Sequence, residues 1–474
     1  MSGEPAPALA AWTVADREDF FAAIARHRRA SWQVTAVTLV CAAIVALVVA
    51  VLVSPLLYAI LILLLDLLNL IIATPDLFAS VMQVLDRALD DSVPAEPALL
   101  LRLAVLAALP GLVLMGLVLA MLARTLRNSP LFDGGDLGAR AVDPTVLAEQ
   151  RFANTIAEMA LAAALPAPRV RLVDAAIGNA AIFGRDDGHA TVLVGRGLLD
   201  RLDRAAMQGV AAHLIASMAN GDLRLGLRVA TTLSLFGLIG RLAEAMLTAK
   251  AWAPWVELLR LALWPNRARA AALALRLAEP FASEAATKDS RSNSLSVRDW
   301  LRMPFAGPLS MTGFFGGIVS TAALAPLIAL AWRRRKYLAD ATAVRLTRDP
   351  DAVAAGLDAL ERAGHARSLA PWADHCSVVA GAARGGLLSG ALISMIPPMQ
   401  RRLRALGALG AALRPPATVH SPLALLVGIP VGALVAILLC VVVVLLCWVS
   451  IALSMLFTWL PLAVLSNLLR WLAS

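Results

Sequence analysis

Apolar residues come in long unbroken runs along this chain. Ala30 to Leu65, Leu103 to Ala123, Pro304 to Trp332 and Pro415 to Leu469 each pass without one Asp, Glu, Lys or Arg. A helix needs roughly 20 apolar residues to cross a hydrocarbon core. The runs therefore predict a polytopic helical membrane region, and the last is long enough for two crossings. Val229 to Gly240 is apolar for only twelve residues before Arg241 and Glu244, too short to span unless that pair extends it. Residues 251–265 carry three tryptophans, which suits a segment lying in the interface, and residues 283–299 are polar and turn-rich, hence a loop. Between residues 29 and 124 the apolar material could make three crossings, but basic clusters on one side need an even number. One resolution lets residues 31–73 cross once, with the remainder re-entrant or interfacial around Asp66.

Two mixed-charge regions interrupt this pattern, from about Asn128 to Leu225 and from about Arg333 to His420. In the first, "VLAEQRFANTIAEMALAAAL" (146–165) has helical apolar spacing and stops before Pro166. "RVRLVDAA" (169–176) alternates as a strand does. "GNAAIFGRDDGHATVLVG" (178–195) predicts two strands around an Asp-Asp-Gly turn. Asp203 then stands where an N-cap belongs, ahead of a helix carrying His213.

Composition agrees with the pattern: 59% of the 474 residues are hydrophobic and 16% charged, against about 25% charged in soluble domains. The first apolar run begins only after the "RHRR" of 26–29, which favours a signal anchor over a cleavable signal peptide. A net charge of +9 would suggest nucleic acid in a soluble chain. Here the basic clusters (26–29, 124–127, 333–336 and 401–404) flank apolar runs, so membrane topology explains the charge and nucleic acid is set aside. The cysteines, Cys41, Cys376, Cys440 and Cys447, form no C-x-x-C pair and predict neither a disulfide framework nor a thiolate metal site.

Candidate chemistry lies in "VAAHLIASMANGD" (210–222). A helical His-Glu-x-x-His sets two imidazoles one turn apart with a carboxylate between them. In this frame His213 holds the first slot, Leu214 the Glu slot and Ser217 the second His slot. On its own, His213 reads as an ordinary helix histidine.

The flanking sequence changes that reading. "NTIAEMALAAALPAPRVRLVD", "GNAAIFGR", "VLVGRGLLDRLDRAAMQGVAAH", "NGD" at 220–222, "RKYLADATAVRLTRDPDAV" (335–353) and "SMIPPMQRRLRAL" (394–406) occur in order around a membrane insertion. Together they resemble the HtpX-like membrane zinc metallopeptidases, relatives of the CAAX prenyl proteases. The resemblance implies an α+β zincin-like peptidase domain built from two segments, 128–225 and 333–420. An N-terminal arm with transmembrane helices (1–127), membrane helices with an interfacial or loop segment (226–332) and C-terminal transmembrane helices (421–474) complete the plan, with about six or seven crossings in all.

The family's zinc ligands, two His and a later Glu, carry over to His213, Ser217 and Lys336; its general base carries over to Leu214 and a downstream His to Ile396. A catalytic zinc wants three protein ligands and an open position, and only His213 qualifies. The resemblance thus leads to a pseudoprotease with no catalytic residues, no metal and no cofactor, in which Lys336 replaces the ion electrostatically by pairing with Asp340 or bonding to His213. His189, His375, Asp222 and Asp340 could join a rearranged site, but none has zinc-helix spacing. The alternative is therefore an active zinc endopeptidase with such a site; a transporter, suggested by Asp66 and Asn69, is more remote. Asn179, Ala180 and Ala181 lie on the segment that borders the family's cleft, where an extended peptide could pair with a strand edge. The expected partners are the lipid bilayer and membrane-protein clients or a protease partner. The expected location is a bacterial inner membrane, with the peptidase-like domain cytoplasmic.

Overall fold

The computed structural model describes residues 17–69, 72–89, 97–129, 138–174, 177–242, 252–282, 324–362, 375–379 and 394–412, with the single positions 313 and 464. The loop expected at 283–299 lies outside them, as do the crossings expected in 415–469 apart from Val464. The chain divides into two compact units, one of Met1–Thr38, Ser129–Ala230 and Pro326–Thr418, the other of Leu39–Asn128, Thr231–Ala325 and Val419–Ser474.

Among the described residues, the first two apolar runs fold as helices. α1 is Phe20–Asn69, α2 Leu77–Leu89 and α3 Pro97–Arg127. With 50 residues, α1 is about 75 Å long at 1.5 Å per residue, more than twice a hydrocarbon core of about 30 Å. Asp66 lies within this helix. The helix runs through it and closes where Thr74 donates its N–H to Asn69 Oδ1 (2.9 Å) and its hydroxyl to the Leu65 carbonyl (3.1 Å). Pro110 lies inside α3. The next N–H, on Gly111, finds an acceptor in the Ser54 hydroxyl of α1 at 3.1 Å, and that hydroxyl donates to the Ala50 carbonyl at 2.8 Å. Gly111 permits this approach, because a Cβ there would stand 2.2 Å from the Ala50 carbonyl oxygen.

In the first unit, β1 (Arg140–Ala141), α4 (Leu147–Ala162), β2 (Arg169–Val173), β3 (Ala180–Gly184) and β4 (Ala190–Gly195) follow in order. The sheet runs β1-β2-β4-β3, with β2 and β4 parallel and the other pairs antiparallel. α4 ends at Ala162, and Ala164 takes a positive φ of 55° just ahead of Pro166. The β3–β4 turn is closed by Asp186 Oδ1 on His189 Nδ1 at 2.7 Å. Arg140 grips the buried Glu149 carboxylate with two nitrogens, at 2.8 and 2.6 Å, fastening β1 to α4.

α5 (Arg196–Leu199) leads to α6 (Arg204–Ala219). Asp203 caps α6 as its position predicts, its carboxylate accepting the Ala206 N–H at 2.7 Å. Gly221, at φ 78°, ends that helix, and α7 (Asp222–Arg241) begins at the next residue. The span expected at 229–240 therefore gains length at its N-terminal end, starting from Asp222, and runs through Arg241; Glu244 lies outside the described residues. The second unit continues with α8 (Ala253–Leu263), flanked by the exposed Trp252 and Trp264, and α9 (Arg267–Ala282). Three described helical segments are long and apolar enough to cross a membrane: Phe20–Val51, Pro97–Arg127 and Asp222–Arg241.

α10 (Ala325–Thr347), α11 (Pro350–Arg362) and α12 (Met399–Ala408) complete the first unit. α6 packs on α4, on β3 and above all on α11. Its Gly209 lets the α11 backbone in, since a Cβ there would stand 2.0 Å from the Ala352 carbonyl oxygen. The shared core takes Phe152, Ile156, Leu172, Val192, Val194, Val210, Ile215, Val353, Leu357 and Leu403. α6 is buried nearly all round, so its polar side chains sit inside this core.

Candidate functional site

His213 is 1% exposed in the middle of α6. Its Nδ1 lies 2.8 Å from Asp340 Oδ1 on α10. Arg402 of α12, with no exposed surface at all, closes on the same carboxylate through Nε at 2.8 Å and Nη2 at 2.7 Å. Burial alone would raise the Asp340 carboxyl. The Arg402 charge and hydrogen bonds, reinforced by His213, outweigh it and hold Asp340 well below the carboxylate range. Burial is also the main influence on His213, pushing it down to about 4 against the pull of Asp340, with Arg402 and Lys336 adding to the descent. The imidazole is thus neutral near pH 7, and its Nδ1–H donates to Asp340. The lone pair then sits on Nε2, which is buried without a hydrogen-bond partner. This is the ring orientation that a carboxylate gives to a metal-ligating histidine.

The other positions that the resemblance singles out hold different groups. Leu214, at the general-base position, is part of the apolar core and Ser217 is buried one turn beyond His213. Lys336, 3% exposed, donates its ammonium to the Ser377 carbonyl at 2.7 Å. The pairing of Lys336 with Asp340 or His213 expected from sequence is replaced by this contact, because Arg402 and His213 already saturate the carboxylate. Burial, with Arg402 next, lowers the Lys336 ammonium to about 8; it stays mainly charged at neutral pH. Ile396 is buried at the rim of a cavity of about 440 Å³, lined also by Arg333, Glu361, Ser394, Arg401 and Arg402.

Asn179, Ala180 and Ala181 sit at the start of β3, on the outer edge of the sheet, all buried. That edge is paired: Ala181 forms an antiparallel bridge with Ser377, and the Val378 N–H donates to the Ala180 carbonyl at 2.8 Å. Of the groups that could rebuild a metal site, His189 is on the β3–β4 turn with Asp186. Asp222 pairs with Arg335, which also bonds to the Asn220 carbonyl. His375 is buried with its ring edge-on to Trp332. Burial, then the Lys336 charge, lowers it to about 4. Among the described residues, no group of three or more His, Cys, Asp or Glu converges as a metal site would require.

Sequence reading missed Arg402, Arg335 and Ser377. Arg402 and Arg335 lie inside "RRLR" and "RRRK", where flanking apolar runs make every arginine look like a topology marker. The available signal was helical spacing. Arg402 falls with Met399, Leu403 and Leu406 on the buried side of α12, and a cation at such a position calls for a buried carboxylate. Ser377 lies in a stretch with no periodicity to betray a strand.

Residues 147–409 match the family model described as peptidase family M48. Among curated proteins, the chain is 29% identical over 263 residues to a protease HtpX homolog of Tropheryma whipplei, covering 55% of this chain and 72% of that protein. A protease HtpX homolog of Thermoanaerobacter pseudethanolicus is 28% identical over 205 residues, 43% of this chain and 54% of its own length. One from Dictyoglomus thermophilum is 26% identical over 264 residues, 54% and 68% of the two lengths. No solved structure gives a significant match.

Proposed function

The chain belongs to peptidase family M48, and from that premise we propose that it is a non-catalytic, membrane-embedded member. Its α+β zincin-like domain, drawn from two sequence segments and facing the cytoplasm of a bacterial inner membrane, holds or regulates membrane proteins or an active protease partner without cutting peptide bonds.

The observation that carries this reading is Lys336, an ammonium buried at the position that corresponds to the family's Glu ligand and engaged with the Ser377 carbonyl. A charged amine has no lone pair for a metal. It also repels one: at about 4 Å, two unit charges cost roughly 4 kcal/mol at an effective dielectric of 20, and a divalent ion doubles that. The hydroxyl of Ser217 is a poor zinc ligand, and Leu214 cannot take a proton from a bound water. The donor set does not fit a catalytic zinc.

A second reading, an active zinc endopeptidase with a rearranged site, is favoured by one observation. His213 keeps Asp340 on Nδ1 and a free Nε2, the arrangement of a working ligand. Cleavage of casein by the purified full chain separates the two. The first reading predicts no cleavage, and a gain of phenanthroline-sensitive cleavage when Leu214→Glu, Ser217→His and Lys336→Glu are combined. Phenanthroline-sensitive cleavage by the unaltered chain overturns it.

A further inference from the structure

The hydrogen bonds to the segment His375–Val379 go mainly to its main chain. The His375 carbonyl accepts from Trp332 Nε1 at 2.5 Å, and the Ser377 carbonyl from Lys336 Nζ at 2.7 Å. The Val378 carbonyl accepts from Arg402 Nη1 at 2.6 Å and the Val379 carbonyl from Asn179 Nδ2 at 2.9 Å. The remaining contacts are strand-like. Val378 donates its N–H to the Ala180 carbonyl, Val379 reaches Asn179 Oδ1 at 3.4 Å, and Ser377 bridges Ala181 antiparallel. Four side chains from three places in the fold converge on four carbonyls in a five-residue stretch.

We infer that Trp332, Lys336, Arg402 and Asn179 form a carbonyl clamp along the outer edge of β3, whose ligand class is an extended peptide main chain and whose resident occupant is this chain's own His375–Val379. Two physical points support it. Main-chain pairing to a sheet edge recognises any extended peptide, and the four hydrogen bonds go to carbonyl oxygens, which every residue carries. An exposed edge also invites pairing with other chains, and this edge is already taken. Lys336 gains a role here: its ammonium holds a peptide carbonyl as a cation would, yet offers no coordination position for a water. The groove binds a peptide without activating anything against it, and it is closed to peptides from other proteins. The inference goes beyond the proposed function, since it concerns what fills the groove and holds whether or not metal binds.

The thiol of Cys376, 8% exposed between the clamped carbonyls, reports on the segment. The full chain in detergent is treated with a maleimide, and labelling of the Cys376 peptide is followed by mass spectrometry, with Cys41 as the internal reference. Lys336→Met is expected to speed Cys376 labelling at least about tenfold, since release of a hydrogen bond to a charged group, about 1.5–3 kcal/mol, corresponds to that range. Asn179→Ala is expected to speed it several-fold, and neither changes the Cys41 rate. Equal rates in the unaltered and altered chains overturn the inference. Should either variant fail to fold, a second measurement decides. With Cys376→Ala in place, the pair Ala181→Cys and Ser377→Cys is oxidised mildly. Facing residues of an antiparallel pair lie about 4.5–5.5 Å apart, within disulfide reach. Near-complete cross-linking supports a clamped strand, and absence of the cross-link overturns it.

Discussion

His213 Nδ1 and Asp340 Oδ1 stand 2.8 Å apart, both all but sealed from solvent. The carboxylate that aims the imidazole is neutralised by Arg402. On the proposed reading, this contact is the orienting half of a former metal site, and the positions that the resemblance assigns to the other ligands hold a hydroxyl and an ammonium.

That arrangement makes Asp340 the keystone of the buried charges. Asp340→Asn leaves Arg402 as a buried cation with no anion, and breaking a buried pair on one side costs about 3–5 kcal/mol. Adding Arg402→Met removes the stranded charge and is expected to recover much of the loss. Thermal unfolding followed by tryptophan fluorescence checks both variants; a single variant as stable as the parent contradicts the pairing.

Acid should weaken the fold before the carboxylates titrate. His213 and His375 are lowered to about 4 when folded, against about 6.5 for a free histidine. Between those values the unfolded chain binds more protons, so stability falls as pH drops from about 6.5 towards 4, and both groups are neutral above it. Each contributes up to about 1.4 kcal/mol per pH unit. Unfolding midpoints at pH 7.5 and 5 should differ clearly, and His375→Phe should flatten the dependence. A pH-independent midpoint contradicts the burial of both rings.

In the second unit, the Ser54 hydroxyl takes the Gly111 N–H just beyond Pro110. In lipid a freed backbone donor must find such a partner. Gly111→Ala drives a methyl against the Ala50 carbonyl, and overpacking of this kind costs about 1–3 kcal/mol. Ser54→Ala should be milder, leaving one donor unmet. Detergent melting curves rank them; equal melting of Gly111→Ala and the parent contradicts the close approach of α1 and α3.

The helices and the hairpin were legible because periodicity and punctuation speak locally. Asp203 marked a cap, Pro166 a stop, and Asp-Asp-Gly a turn. The partners of Lys336 and Arg402 were not. Lys336 finds a carbonyl 41 residues away and Arg402 binds Asp340 across 62 residues; nothing in composition sets such distances. A backbone carbonyl is present at every residue, so sequence gives no hint of which one an ammonium will choose.

Metal content tests the central claim most directly. The full chain, purified without chelators or added metal, is measured by inductively coupled plasma mass spectrometry. With an ammonium where the third ligand belongs, zinc should stand far below one per chain, and phenanthroline should leave the melting temperature unmoved. One tightly held zinc per chain, whose removal lowers the melting temperature, contradicts the account.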